Sequence, residues 1–315
     1  MLYLFSFCVF IGRHSKNDLL YSLKLLINSL EKTNNYKLIV FKNFDIRINN
    51  KNVTLYEYFD TEQKHNFGDK WFNLSFNKLY IYKYLYEKEG IDYIWIDLDT
   101  IITSNIEYLN KIDNIFVICG GSHKNNRTLF KNNKKFLIEQ HRLIQGNFWK
   151  LNKKLYDDIM ISFQEIKKNK WKLCFDAQDL FSYYIYFKIN MKNINIYGFN
   201  YKKNVLTGMS IWSKLSGYQH PNVNGLNNLY FDNNNILRTN YDKDKEIHIV
   251  TFTFFTLNTL KNNKKFKELF IDNLNKRNFK KSNDFIEETD FYFHKKIDQL
   301  ITLLTNNLPI TTIFN

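Results

Sequence analysis

The chain has 315 residues, 44% of them hydrophobic and 17% aromatic, with 29 Phe and 21 Tyr. That is enough for a sizeable core in one large domain, and it excludes a disordered or fibrous chain. The formal charge of +14, from 45 Lys+Arg against 31 Asp+Glu, favours anionic partners: nucleic acid, acidic lipid or phosphorylated substrates.

Residues 1–12, MLYLFSFCVFIG, are apolar but too short to span a bilayer, and no basic segment precedes them. They predict a first buried strand over 2–10, followed by the turn Gly12-Arg13-His14. Residues 17–32 carry leucines at helical spacing, with Ser15 or Asn17 as the cap. KLIVF at 37–41 predicts a second strand. From Trp71 to Glu89 the helical period returns, with Phe72, Phe76 and Leu79 on one stripe, and Gly90 stops it. YIWIDLDTII at 93–102 and NIFVICGG at 114–121 contain two further strands. Strand, helix, strand, helix, strand is the pattern of an α/β domain with a mainly parallel sheet.

Farther on, IQGNFWKLN at 144–152 sets Gly146 and Asn147 before an aromatic pair, and Gly146 reads equally well as a turn glycine. FDAQDLFSYYIYFK at 175–188 predicts a helix with its acids at the start. NINIYGF at 193–199 and EIHIVTFTFF at 246–255 predict short strands, with His248 near the start of the second. Residues 200–245 read as irregular and polar, a length that usually marks a functional loop. Beyond Phe255 the chain turns basic and helical, dividing it into a domain over 1–255 and an extension over 256–315. Cys8, Cys119 and Cys174 stand far apart in apolar stretches, so no disulfide framework or metal-ligand spacing results and a reducing compartment fits.

The chemistry centres on Asp97 and Asp99, which interrupt an apolar run. On a continuous strand both would point to one face, with Leu98 opposite. Two like charges in a poorly solvated place repel, and a divalent cation, a shared proton or a turn into solvent would each relieve them. Ligands of parallel sheets bind beyond the carboxyl ends of strands, where this pair falls. A helix cap or loop salt bridge is the plain alternative. A phosphohydrolase with Asp97 as nucleophile fits poorly, because Thr100 comes one place early for that motif. A nucleotidyltransferase fits poorly too, since IGRHSKND after the first strand holds a single glycine.

DYIWIDLDTIITSNIEYL resembles the Asp-x-Asp strand and following segment of the retaining, family 8-like glycosyltransferases, and FNKLYIYKYL resembles the helix that leads into it. QGNFWKLN (145–152) resembles that family's glycine-containing segment, AQDLF (177–181) its Asp-Gln-Asp segment, and His248 its late histidine. The resemblance implies a GT-A fold over about 1–255 and transfer from a nucleotide-sugar donor, a UDP-sugar by preference, to a glycan or lipid-linked glycan. It also implies Mn²⁺ or Mg²⁺ held by Asp97, Asp99 and His248, with Gln178 and Asp179 at the donor–acceptor junction. Oxygen ligands with one imidazole suit either cation, which would stabilise the diphosphate leaving group. The sequence departs from the family where IVTFTF follows His248 in place of Gly and Lys, and where Ala177 replaces the first Asp.

Each residue has a plainer reading beside the functional one. His248 alone reads as a buried hydrogen-bonded histidine. Asp176 and Asp179 have the spacing of an N-cap and its third residue. Arg13 and Asp18 would face the nucleotide base or simply carry surface charge, and Lys78 would reach the donor or be solvated. Among the tryptophans, Trp212 is the candidate sugar platform. The basic segment 256–281 suggests contact with an anionic membrane from the cytoplasmic side. A nucleic-acid role ranks below this, for want of a recognition motif.

Overall fold

Along the first strand, LYLFSFC, the large side chains alternate, and this alternation divides the core. In the computed structural model, Leu2, Leu4 and Cys8 join one buried cluster while Phe5 and Phe7 join another. The structure describes residues 1–12, 15–59, 70–118, 126–139, 142–174, 177–192, 194–197, 205–207, 229–233, 237–239, 245–246 and 248–251. The predicted extension over 256–315, Arg13, Cys119, Asp176 and Trp212 lie outside them.

The elements in order begin with β1 (Leu2–Cys8), α1 (Lys16–Thr33), β2 (Tyr36–Lys42), β3 (Val53–Glu57) and α2 (Lys70–Glu89). Then come β4 (Ile94–Ile96), β5 (Thr100–Ile102), a 3₁₀ turn (Glu107–Lys111) and β6 (Ile115–Ile118). A hairpin of β7 (Asn126–Phe130) and β8 (Asn133–Glu139) precedes β9 (Ile144–Lys150), α3 (Lys153–Lys168) and α4 (Ala177–Tyr183). α4 runs on as a π-helical turn, Tyr184–Lys188. Short strands follow: β10 (Ile196–Tyr197), β11 (Val205–Thr207), β12 (Leu229–Phe231), β13 (Leu237–Thr239), β14 (Lys245–Glu246) and β15 (Ile249–Thr251). The stretch expected to be irregular over 200–245 therefore contributes strands.

The main sheet has seven strands in the order β10-β6-β9-β4-β1-β2-β3. It is mixed: β1 is parallel to β2 and β4, and β2 to β3, while β9 runs antiparallel to both β4 and β6. α1 covers one face, with Leu23, Leu26 and Leu30 against Leu4, Leu38, Ile94 and Ile96. α2, α3 and α4 cover the other, with Phe76, Leu79, Phe163 and Phe181 against Phe5, Phe41, Trp95 and Trp149. Trp95 anchors this second layer: Phe7 lies 4.7 Å from it and Phe5 5.0 Å, both edge-on, and Trp149 stacks at 6.3 Å. Edge contacts of this kind add about 0.5–1.5 kcal/mol each beyond area burial. The result is an α/β fold with helices on both faces of the sheet.

Local signals explain the helix ends. Ser15 caps α1 in a capping box with Asp18, each side chain accepting from the other's backbone N–H at 3.1 and 3.3 Å. Gly90 ends α2 at φ +68°, its N–H donating to Tyr86 O at 2.7 Å.

Candidate functional site

The strand holding the acids stops sooner than strand alternation predicts. β4 ends at Ile96, Leu98 and Asp99 form a turn, and β5 starts at Thr100 in a different sheet with β11 and β15. The continuous strand expected through both acids is thereby corrected: Asp97 follows the carboxyl end of a central strand and Asp99 lies in the turn after it. All three residues of the motif are half-buried.

Asp97 is the centre of a dense polar cluster. Its Oδ1 accepts from Lys78 Nζ and from Trp95 Nε1, each at 2.9 Å. Lys78 comes from the middle of α2 and is 8% exposed. Its ammonium also donates to Gly146 O at 3.3 Å and sits 4.3 Å above the Trp95 ring. Burying a cation this way requires such partners, since a desolvated charge left unpaired is costly. The solvated alternative for Lys78 is corrected on that ground.

β9 supplies the second wall. The backbone N–H of Asp97 donates to Asn147 O at 2.8 Å. β9 and β6 slip in register here: adjacent Phe116 and Val117 pair with Trp149 and Gln145, so residues 146–148 are extra on the β9 side. Such irregularities re-aim side chains beside functional sites. Gly146 belongs to this buried strand rather than to a turn, because a Cβ there would lie 3.2 Å from Gln178 Cγ. Asn147 is 1% exposed, yet neither atom of its side-chain amide has a hydrogen-bond partner among the described residues. Each buried polar group left unmatched costs about 1–3 kcal/mol. Such an amide suits a ligand that offers both a donor and an acceptor.

The structure thus brings Lys78, Asp97, Gly146, Asn147 and Gln178 together, with Asp99 one turn away. Other expected residues fall elsewhere. Asp179 is fully buried and ion-paired with Arg127 of β7. The pair ties α4 to the hairpin. Arg127 was invisible in the sequence, where nothing distinguishes it from other hairpin-edge cations. Asp18 serves the capping box of α1.

His248 lies just before β15. β15 pairs antiparallel with β5, Ile249 opposite Ile102, and Thr103 N–H donates to His248 O at 2.9 Å. The register sets the His248 backbone beside Thr103. Its Nδ1 shares a hydrogen bond of 3.0 Å with the Tyr108 hydroxyl. Among the described residues no three His, Cys, Asp or Glu side chains converge on one metal position. Two carboxylates across a turn still suit Mg²⁺ or Mn²⁺, because Mg²⁺ sites commonly use one or two carboxylates plus substrate phosphates. Asp97 and Asp99 are the residue types that fit such a cation.

A second buried cation shows what a structural lysine looks like here. Lys150 Nζ donates to the carbonyls of Leu109, Asn110 and Ile112 at 3.3, 2.9 and 2.7 Å, closing the 3₁₀ turn. Burial holds its pKa below the ordinary lysine value. Lys150 spends its donors on backbone, whereas Lys78 spends one on a half-exposed carboxylate.

No protein-family model matches the chain, and no curated protein matches it significantly. Among the described residues no helix is long and apolar enough to cross a membrane.

Proposed function

We propose that the chain is a metal-dependent glycosyltransferase of the GT-A type, moving a sugar from a nucleotide-linked donor, a UDP-sugar first among candidates, to a glycan acceptor. One observation carries this reading: the Asp97 carboxylate and the Lys78 ammonium meet beyond the carboxyl end of a central strand in an α/β sheet, where the Asp97 backbone pairs with Asn147, whose buried side-chain amide has no partner among the described residues. Each group has a use with such a donor. Asp97 and Asp99 would hold Mn²⁺ or Mg²⁺, which when bound neutralises the diphosphate leaving group. Lys78, already beside Asp97, adds a fixed positive charge facing the same diphosphate. Asn147 offers one donor and one acceptor to a sugar hydroxyl or a base edge. Gln178, packed on Gly146, would line the junction with the acceptor. Asp179, locked to Arg127, would position the helix that carries Gln178 rather than touch substrate.

The test is donor consumption. The full chain would be incubated with UDP-, GDP- and CMP-linked sugars, with and without Mn²⁺, and nucleotide release followed by mass spectrometry. Release of one nucleotide, dependent on the cation and on Asp99, is the expected result. Turnover of simple phosphate monoesters with no nucleotide release would instead support a Mg²⁺-dependent phosphohydrolase using Asp97 as nucleophile.

A further inference from the structure

We propose that the tip of the β7–β8 hairpin and the end of α3 together form a docking surface for an anionic phospholipid bilayer. The surface is separate from the candidate site, and the proposal does not rest on glycosyl transfer.

The hairpin turn carries the exposed residues Lys131, Lys134 and Lys135; the segment leaving α3 carries the exposed residues Lys168, Lys170 and Lys172. Backbone and amide bonds fix the two segments to each other. Lys131 N–H donates to Lys172 O at 2.7 Å, Asn132 Nδ2 donates to Lys170 O at 2.8 Å, and Lys172 N–H donates to Asn132 Oδ1 at 2.8 Å. The lysines are therefore held as one patch rather than scattered. Neither 126–138 nor 166–174 contains an Asp or Glu. The flanking acids are Glu139, at the end of β8, and Glu165, which is taken up by Lys188 at 2.5 Å and the Tyr183 hydroxyl at 3.2 Å.

Charge alone would suit any polyanion; the apolar residues among the lysines favour a bilayer. Leu137 is 49% exposed and Phe187 39% exposed. Lys135 and Leu137, two apart on β8, share the outward face. Phe187 packs on Phe136, which packs on Trp171, at 5.2 and 4.9 Å. Lysines around exposed Leu and aromatic side chains are the composition of an interfacial surface, with cations at the headgroups and apolar tips just beneath. A phosphate backbone has no use for an exposed leucine. The same hairpin carries Arg127, whose ion pair with Asp179 ties it to the helix bearing Gln178.

The test is co-sedimentation of the full chain with phosphatidylcholine vesicles, with and without phosphatidylglycerol, at low and high salt. Binding is expected only to the anionic vesicles, and weaker at high salt. Lys131→Gln/Lys134→Gln/Lys135→Gln should lower the partition coefficient roughly a hundredfold. Leu137→Ser should lower it by about tenfold, with thermal unfolding unchanged in both variants. Wild-type protein that ignores anionic vesicles would overturn the proposal. So would a triple variant that binds like wild type, which would assign binding to other basic segments. So would an oligonucleotide that binds through the same lysines while Leu137→Ser changes nothing.

Discussion

Replacing Lys78 with methionine keeps an apolar stem of nearly the same reach and removes the charge on which the candidate site is built. The ammonium that donates to Asp97 at 2.9 Å and to Gly146 O at 3.3 Å disappears, leaving Asp97 Oδ1 with Trp95 Nε1. Breaking a fully buried ion pair costs about 3–5 kcal/mol. The Asp97 side chain is 26% exposed, so water recovers part of its solvation and the expected loss falls to about 2–3 kcal/mol. Asp97→Asn should cost about 2 kcal/mol, since Lys78 keeps Gly146 O and the Trp95 ring but loses its counter-charge. In Lys78→Met/Asp97→Asn no unpaired charge remains. The double variant should therefore lose less than the sum of the two, with a coupling of at least about 1.5 kcal/mol. Urea unfolding followed by tryptophan fluorescence measures all three, because Trp95 touches both residues. Losses that add to within about 0.5 kcal/mol would refute the claim that the pair acts as a unit.

Asn147→Leu removes an amide that has no hydrogen-bond partner among the described residues, so stability should hold or rise by about 1 kcal/mol while nucleotide-sugar binding is lost; thermal unfolding and calorimetric titration on one sample check both halves. Gly146→Ala places a methyl 3.2 Å from Gln178 Cγ. The half-buried Gln178 should yield at a cost under about 1 kcal/mol, with turnover falling more than stability does; equal losses in the two would contradict its placement. Alkaline pH should destabilise the fold, because burial pushes the Cys8 thiol and the Tyr80 hydroxyl each up to about 12. Their folded pKa values exceed the unfolded ones. The stability they contribute is therefore complete below about pH 9, the ordinary thiol range, and is lost as pH climbs towards 12. Lys150, with its pKa lowered, works in the opposite direction over the same range. Urea midpoints between neutral pH and pH 11 should fall, and Cys8→Ala should flatten part of that fall.

Much of the fold was legible where one physical rule dominated. Apolar runs marked β1 and β2, and the leucines of α1 and Gly90 after α2 marked a helix and a helix end. The Asp-x-Asp at the end of an apolar run marked the centre of the site. Legibility failed where a segment's character is set by distant partners. NRTLF and NKKFLIE form a hairpin whose lysines sit on exposed positions, so it carries no apolar alternation to read. IQGNFWK is a fully buried strand despite its Gln, Gly and Asn, because neighbours on both sides and Gln178 above bury those small or polar residues. Lys78 resembled any helix-surface lysine until α2 packed it over Trp95. The placement of His248 depended on the register of β15 against β5, a pairing across nearly half the chain that no local pattern specifies. The Arg127–Asp179 pair was hidden for the same reason.

Asp97, Asp99 and Lys78 are proposed to form a nucleotide-diphosphate site. The most direct measurement is the thermal stability of the full chain with UDP, GDP, CMP or no nucleotide, each with and without Mn²⁺, for wild type and Asp99→Ala. A ligand that binds only the folded state stabilises it by about 2.7 kcal/mol at a hundredfold excess over its dissociation constant. The account predicts stabilisation by one nucleotide that requires Mn²⁺ and vanishes in Asp99→Ala. Stability unchanged by every nucleotide, with or without the cation, would contradict it.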